Sequence, residues 1–154
     1  MTTPYIAPGF HTATPYLVIS GAARALDFYH QAFGAMELVR VPDPAGKILH
    51  AEIQIGDSRI MLADECPEMG ALSPGTIGGT PISLMLYVED CDQVFNRAIA
   101  AGAKVERAVQ DQFYGDRSGN LVDPFGHKWT IATHKEDVPP EEMERRMAAL
   151  FGPK

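Results

Sequence analysis

Cysteine is scarce, basic charge is in deficit, and no apolar run is long enough to cross a bilayer. Cys66 and Cys91 are the only thiols in 154 residues. A chain of that size builds a core without staples, so the two thiols read as a reducing compartment, and the expected location is the cytoplasm. Thirteen Lys and Arg stand against 20 Asp and Glu, a net charge of -7, which opposes attraction to phosphate backbones and anionic lipid and argues against nucleic acid. No stretch reaches the roughly 18 apolar residues of a membrane span, and no basic patch precedes a hydrophobic one at the start. A phosphate-binding loop, a dinucleotide fingerprint, a nucleophile elbow and zinc-finger spacing are also missing, so no cofactor is expected.

What is present is a repeat. Thr14-Pro15-Tyr16-Leu17-Val18 answers to Ser83-Leu84-Met85-Leu86-Tyr87, and Ile60-Met61-Leu62 answers to Trp129-Thr130-Ile131 at the same offset. Gly34-Ala35 answers to Gly102-Ala103 at an offset one residue shorter. So long a period is one supersecondary unit made twice. With 45% hydrophobic residues, the chain supports one shared core rather than two independent ones.

The pattern predicts a strand over Ala13 to Ile19 and a helix over Ala22 to Phe33, ended by Gly34. Leu49 to Ile55 alternates, with Leu49, Ala51, Ile53 and Ile55 on one face, and Gly56-Asp57 turns it into Arg59 to Ala63. Asp90, with Gln93 three residues on, caps a second helix whose stripe is Cys91, Val94, Phe95, Ala98 and Ile99 before Gly102. Gly119 to Val122 leads through Asp123-Pro124-Phe125-Gly126 into Lys128 to Thr133. Each half reads as strand, helix, then two or three antiparallel strands, an α+β domain spanning 1–154. Module 1 covers about 12–65, module 2 about 82–134, and a short helix 139–151. Residues 64 to 81, rich in Pro and Gly, read first as a crossing linker (66–81), with a flap over a site as the alternative.

Helices must cover the apolar strand faces, which leaves Thr14, Tyr16, His50, Glu52, Gln54, Arg59, Met61, Ser83, Met85, Tyr87, Lys128 and Thr130 on the opposite side. That mixed lining suits a small organic molecule, or it is an ordinary wet face. His50 and Glu52 point into one space, where imidazole and carboxylate can relay a proton or contribute to a metal site, although a metal needs a third ligand. Between glycines, Tyr114, Asp116 and Arg117 either clamp a substrate or fix a loop. Asp123-Pro124-Phe125-Gly126-His127 is most simply structural. Cys66 follows two acids, which disfavours its thiolate.

Pro15-Tyr16-Leu17, Ala25-Leu26-Asp27-Phe28-Tyr29, Ala32-Phe33-Gly34-Ala35, Gly56-Asp57-Ser58, Phe113-Tyr114-Gly115-Asp116-Arg117 and Asp123-Pro124-Phe125-Gly126-His127-Lys128-Trp129 resemble the vicinal oxygen chelate superfamily, nearest its PhnB-like branch. The resemblance runs from Thr14 to His134. It implies paired βαβββ modules of the glyoxalase/bleomycin resistance/dihydroxybiphenyl dioxygenase type, a curved mixed sheet around a cavity, and a homodimer. Metal-using members take ligands at positions that fall here on Thr14, Met61, Ser83 and Thr130, none of them His, Glu or Gln. No metal is expected on that ground. The leading expectation is a metal-independent binder of a small organic molecule, with no reaction assigned. The alternatives are a metal-dependent glyoxalase or dioxygenase with atypical ligands, and a drug-sequestering protein. His50 would act as base, Glu52 as its orienting partner and Arg117 or Arg59 as the anion-stabilising group. Thr14, Tyr16, Gln54, Arg59, Met61, Ser83, Tyr87, Tyr114 and Thr130 would line the ligand site. Neither a Lys and Arg cluster for a phosphonate nor a glycine-rich motif for a methyl donor is legible.

Overall fold

The computed structural model describes residues 2–153. In chain order its elements are β1 (Tyr16–Ile19), α1 (Ala22–Phe33), β2 (Met36–Pro42), β3 (Ile48–Ile55), β4 (Ser58–Asp64), a 3-10 turn at Pro67–Met69 and α2 (Pro74–Ile77). There follow β5 (Ser83–Tyr87), α3 (Cys91–Ala101), β6 (Lys104–Asp111), β7 (Asp116–Val122), β8 (Lys128–His134) and α4 (Pro140–Phe151). The unit βαβββ therefore occurs twice. Helix α1 forms because Ala22, Ala25, Leu26, Tyr29 and Ala32 recur on one buried stripe, and Gly34 stops it at φ 68°. Helix α3 starts where the Asp90 carboxylate accepts the Gln93 N–H at 3.1 Å.

The strands form two sheets, ordered β1-β4-β3-β2 and β5-β8-β7-β6. In each, the first strand runs parallel to the last and the remaining pairs are antiparallel. The curved sheet expected from the sequence is not what forms: there are two separate open four-stranded sheets, neither curved nor closed. No ladder joins β1 to β5. His127, from the turn before β8, donates its Nε2–H to the Val18 carbonyl at 2.9 Å, satisfying an edge group of β1 without a strand.

Strands β2 and β6 escaped the sequence reading, since every residue of β2 is exposed and burial leaves no alternation to detect. Leu49 is also corrected. Ile48 is buried in its place, because Leu49 is the extra residue of a bulge in β3, opposite Val41 and Pro42, and the Ile48 N–H is taken by Asp64 at 2.7 Å.

One core serves both modules, as their shared stability required. Helices α1 and α3 pack on one another, and Trp129 of β8 is fully buried against Phe33 and Tyr29 of α1, with ring centroids 4.8 and 5.4 Å away. The buried Asp123 carboxylate accepts from Tyr29 (2.6 Å), Trp129 Nε1 (2.9 Å) and the backbone N–H groups of Phe125 (2.9 Å) and His127 (3.0 Å). The Asp-Pro-Phe-Gly-His turn is thus the joint between modules. Helix α4 packs on its own chain: Arg146 reaches Glu136 at 2.7 Å and the Phe113 carbonyl at 3.0 Å, and Phe151 meets Phe113 edge-on.

Candidate functional site

Strand pairing places directly opposed side chains on the same face, so register alone assembles the first site. Tyr16 stands opposite Met61, Met61 opposite Glu52, and Glu52 opposite Val39. His50, two residues from Glu52 on β3, shares that face. The side chains close into a chain. The Tyr16 hydroxyl lies 2.9 Å from His50 Nδ1, and His50 Nε2 lies 2.9 Å from Glu52 Oε2. A carboxylate oxygen accepts, so Nε2 is the nitrogen that donates to Glu52, and the Nδ1 lone pair is the one that can accept from the Tyr16 hydroxyl. Burial, then the charge of Glu52, raises the Tyr16 pKa and keeps the phenol a donor.

Tyr16 also borders a cavity of about 300 Å³ whose wall is apolar: Val18 from β1, Leu72, Pro74 and Ile77 from the segment between modules, and Leu84 from β5. The segment 64–81 is therefore more than a crossing. It is pinned by Thr76, whose hydroxyl donates to Glu65 at 2.8 Å, and by Ser73, which is buried.

The remaining candidates disperse. Gln54 donates to the Gly56 carbonyl at 3.0 Å. Arg59 lies over the Phe10 ring at 5.0 Å and donates to the Pro8 carbonyl, holding the N-terminal arm. It meets Thr14 and Met85 around a smaller cavity of about 160 Å³. Arg117 is not brought to His50: its guanidinium grips Asp92 at 2.8 and 3.0 Å and Asp111 at 3.2 Å, bracing the start of α3. Tyr114 packs edge-on to Phe113 on the loop beside α4.

The second sheet carries its own row. Met85 stands opposite Thr130, Thr130 opposite Asn120, and Asn120 opposite Arg107. Ser83 pairs in register with Lys128. Tyr87 donates to Asp116 at 2.8 Å, and that buried carboxylate also takes His134 Nδ1 at 2.7 Å. Hydrogen bonds to Asp116 and then Asp137 raise the His134 pKa. The sequence reading passed over Arg107, Asn120 and His134, and paired Asp116 with Arg117 where the structure pairs it with Tyr87 and His134. The signal for Asn120 was the alternation Asp116, Ser118, Asn120, which continues β7 back from Gly119.

The positions expected for metal ligands, Thr14, Met61, Ser83 and Thr130, are not the set that the register brings together: Thr14 precedes β1, Ser83 pairs with Lys128, and the residues facing Met61 and Thr130 are Tyr16 and Met85. A phenol, two thioethers and a hydroxyl do not fit a divalent ion that prefers imidazole and carboxylate. Among the described residues no three His, Cys, Asp or Glu gather as a metal-holding group.

Two βαβββ modules, each leaving one sheet face uncovered by helices, define the class, and comparison supplies the family. The chain belongs to the Glyoxalase/Bleomycin resistance protein/Dioxygenase superfamily, whose family model matches residues 10–131. An uncharacterised protein of Mycobacterium bovis is 43% identical over 139 residues, covering 88% of this chain and 91% of its own. The anthracycline biosynthesis protein DnrV of Streptomyces peucetius is 30% identical over 127 residues, 80% of this chain but 41% of its own. The crystal structure of TioX from Micromonospora aligns at a TM-score of 0.62 and 27% identity, covering 84% of this chain and all of that one.

Proposed function

We propose that this chain is a PhnB-like member of the superfamily that binds a small organic molecule at the Tyr16 face of the first sheet, without a resident divalent metal. The carrying observation is the hydrogen-bonded series Tyr16, His50, Glu52, which reaches an apolar cavity through Tyr16. An apolar wall with a few convergent polar groups is the general form of a small-molecule site. Glu52 holds the imidazole so that Nδ1 is the basic atom. A ligand group that displaces the Tyr16 hydroxyl would hand its proton to Nδ1, and in the reverse sense Tyr16 would donate while His50 restores its proton. The name of the Streptomyces relative, anthracycline biosynthesis, supports an organic ligand. The free thiols of Cys66 and Cys91 support the cytoplasm.

The reading includes a homodimer. Tyr16, Met36, Val39 and Val41 on one sheet, and Met85 and Tyr87 on the other, leave large apolar surface exposed on faces that the helices do not cover. A second copy would cover them.

The test is ultrafiltration of a metabolite extract with mass-spectrometric readout, using wild type and His50→Asn, with native mass spectrometry of the same wild-type sample. Wild type as a dimer should enrich a compound that the variant retains at least about tenfold less well, the order expected for one lost hydrogen bond to a charged pair. Equal retention by both proteins, or none by either, sinks the site; a monomer sinks the dimer.

A further inference from the structure

The second sheet holds a guanidinium whose charge the protein leaves unanswered. Arg40, Arg117, Arg145 and Arg146 each meet a carboxylate within ion-pair distance; of the others, Arg24 and Arg97 are exposed and half-buried Arg59 holds the N-terminal arm through the Phe10 ring and the Pro8 carbonyl. Arg107 meets neutral oxygens: the Ser118 carbonyl at 3.3 Å, the Ser118 hydroxyl at 3.1 Å and Asn120 Oδ1 at 3.0 Å. In a chain with 20 acids and 13 basic residues, a half-buried arginine without an acid is not explained by shortage. Neutral acceptors fix the orientation of the guanidinium fork and leave its charge in place. Three of its five N–H groups are engaged in these bonds, so two remain.

Its setting is built. Arg107 lies between two irregularities of the β6–β7 ladder, one after Val105 and one before Gln110. Bulges re-aim side chains and cluster beside functional sites. Arg107 also ends the row Met85, Thr130, Asn120, Arg107, the counterpart of the row Tyr16, Met61, Glu52, Val39 in the first module. Asn120 thus answers to Glu52 and Arg107 to Val39: one row carries the carboxylate, the other the cation. Asn120 Oδ1 is occupied by Arg107 and by the Thr130 hydroxyl at 3.3 Å, which leaves the amide N–H groups as further donors beside the guanidinium.

We infer that Arg107 and Asn120 form an oxyanion-recognising subsite on the second sheet, so that the ligand is a small organic anion, a carboxylate or a phosphonate. This rests on the reading that the protein binds a small organic molecule, and extends its contacts to the second sheet. The free Nε–H and the remaining Nη1–H sit on different edges of the guanidinium, so an oxyanion meets it through single charge-assisted bonds, about twice as strong as neutral ones, and not through a paired fork.

The experiment titrates the full chain with benzoate, phenylphosphonate and the neutral benzamide, following ¹⁵N shifts of the arginine side chains and of the backbone. Wild type, Arg107→Gln and Arg107→Lys are compared, with thermal melts to show that each is folded. At least one anion should bind wild type about tenfold or more tighter than benzamide. Arg107→Gln should lose that preference and Arg107→Lys should keep part of it, since the charge survives while its orientation by Ser118 and Asn120 does not. Which anion binds decides between carboxylate and phosphonate. Equal affinity for anion and amide, a preference untouched in Arg107→Gln, or no response to any probe overturns the subsite. So does a change in oligomeric state in Arg107→Gln without a change in anion preference, which would make Arg107 an interface group. Benzamide binding lost in His50→Asn but kept in Arg107→Gln, without anion preference in wild type, would sink the subsite and leave the first-sheet site standing.

Discussion

Tyr29 of α1 donates its hydroxyl to Asp123 of the β7–β8 turn across 2.6 Å, joining the two modules through a buried phenol and a buried carboxylate. Burial first, and then Asp123, pushes the Tyr29 pKa well above its ordinary value, so the phenol stays a donor. Tyr29→Phe keeps the ring and removes the bond, and should cost about 1.5–3 kcal/mol. Asp123→Ala also orphans Trp129 Nε1 and two backbone donors, and should cost more, about 3–5 kcal/mol. Urea unfolding measures both. A Tyr29→Phe protein as stable as wild type would show that the modules are not coupled through this pair.

The Tyr16 phenol should titrate above its ordinary value of about 10, because burial and Glu52 both raise it. In Glu52→Gln the charge is gone and burial remains, so the titration should move down without reaching the free value. Tyrosine ring NMR across alkaline pH follows it. No difference between wild type and Glu52→Gln would mean that Glu52 does not act on Tyr16.

His134 bonds to Asp116 and Asp137, each at 2.7 Å, and these two bonds raise its pKa. A raised folded pKa makes the imidazolium stabilising below the unfolded value of about 6.5, and that contribution is lost as pH rises through the higher folded value. Urea midpoints should therefore fall from mildly acidic to alkaline pH, and the fall should shrink in His134→Gln. An identical pH profile for the two proteins would contradict the assignment.

Gly115 adopts φ 103°, and a Cβ there would collide with the Glu136 carbonyl oxygen. Its own carbonyl accepts from the N–H groups of Lys135 and Glu136 at 2.8 and 3.1 Å. Gly115→Ala should destabilise the protein by about 1–3 kcal/mol and loosen the start of the C-terminal segment. Faster amide exchange at Lys135 and Glu136 reports that local effect. Unchanged exchange at both amides would show that the glycine is not required.

Helices α1 and α3 were legible because their buried stripes and glycine stops are local signals. The pairing of His50 with Glu52 was legible because residues two apart on a strand share a face. Strands β2 and β6 were not, since β2 is exposed throughout, β6 buries no residue fully, and each is defined by the ladder it joins. Leu49 was misassigned because it is the extra residue of a bulge in β3, and that irregularity shows only in the pairing with β2, where Val41 meets His50 and Pro42 meets Ile48.

The repeat, the charge balance and the strand periodicity already determined two like α+β modules on one core, because those features depend on near neighbours in the chain. Tertiary structure alone decided that the sheets stay separate and open, that Tyr16 closes on His50, that Arg117 braces a helix, and that Arg107 stands without an acid. Each depends on register between strands distant in sequence, and a shift of one residue would turn every one of these side chains to the other face.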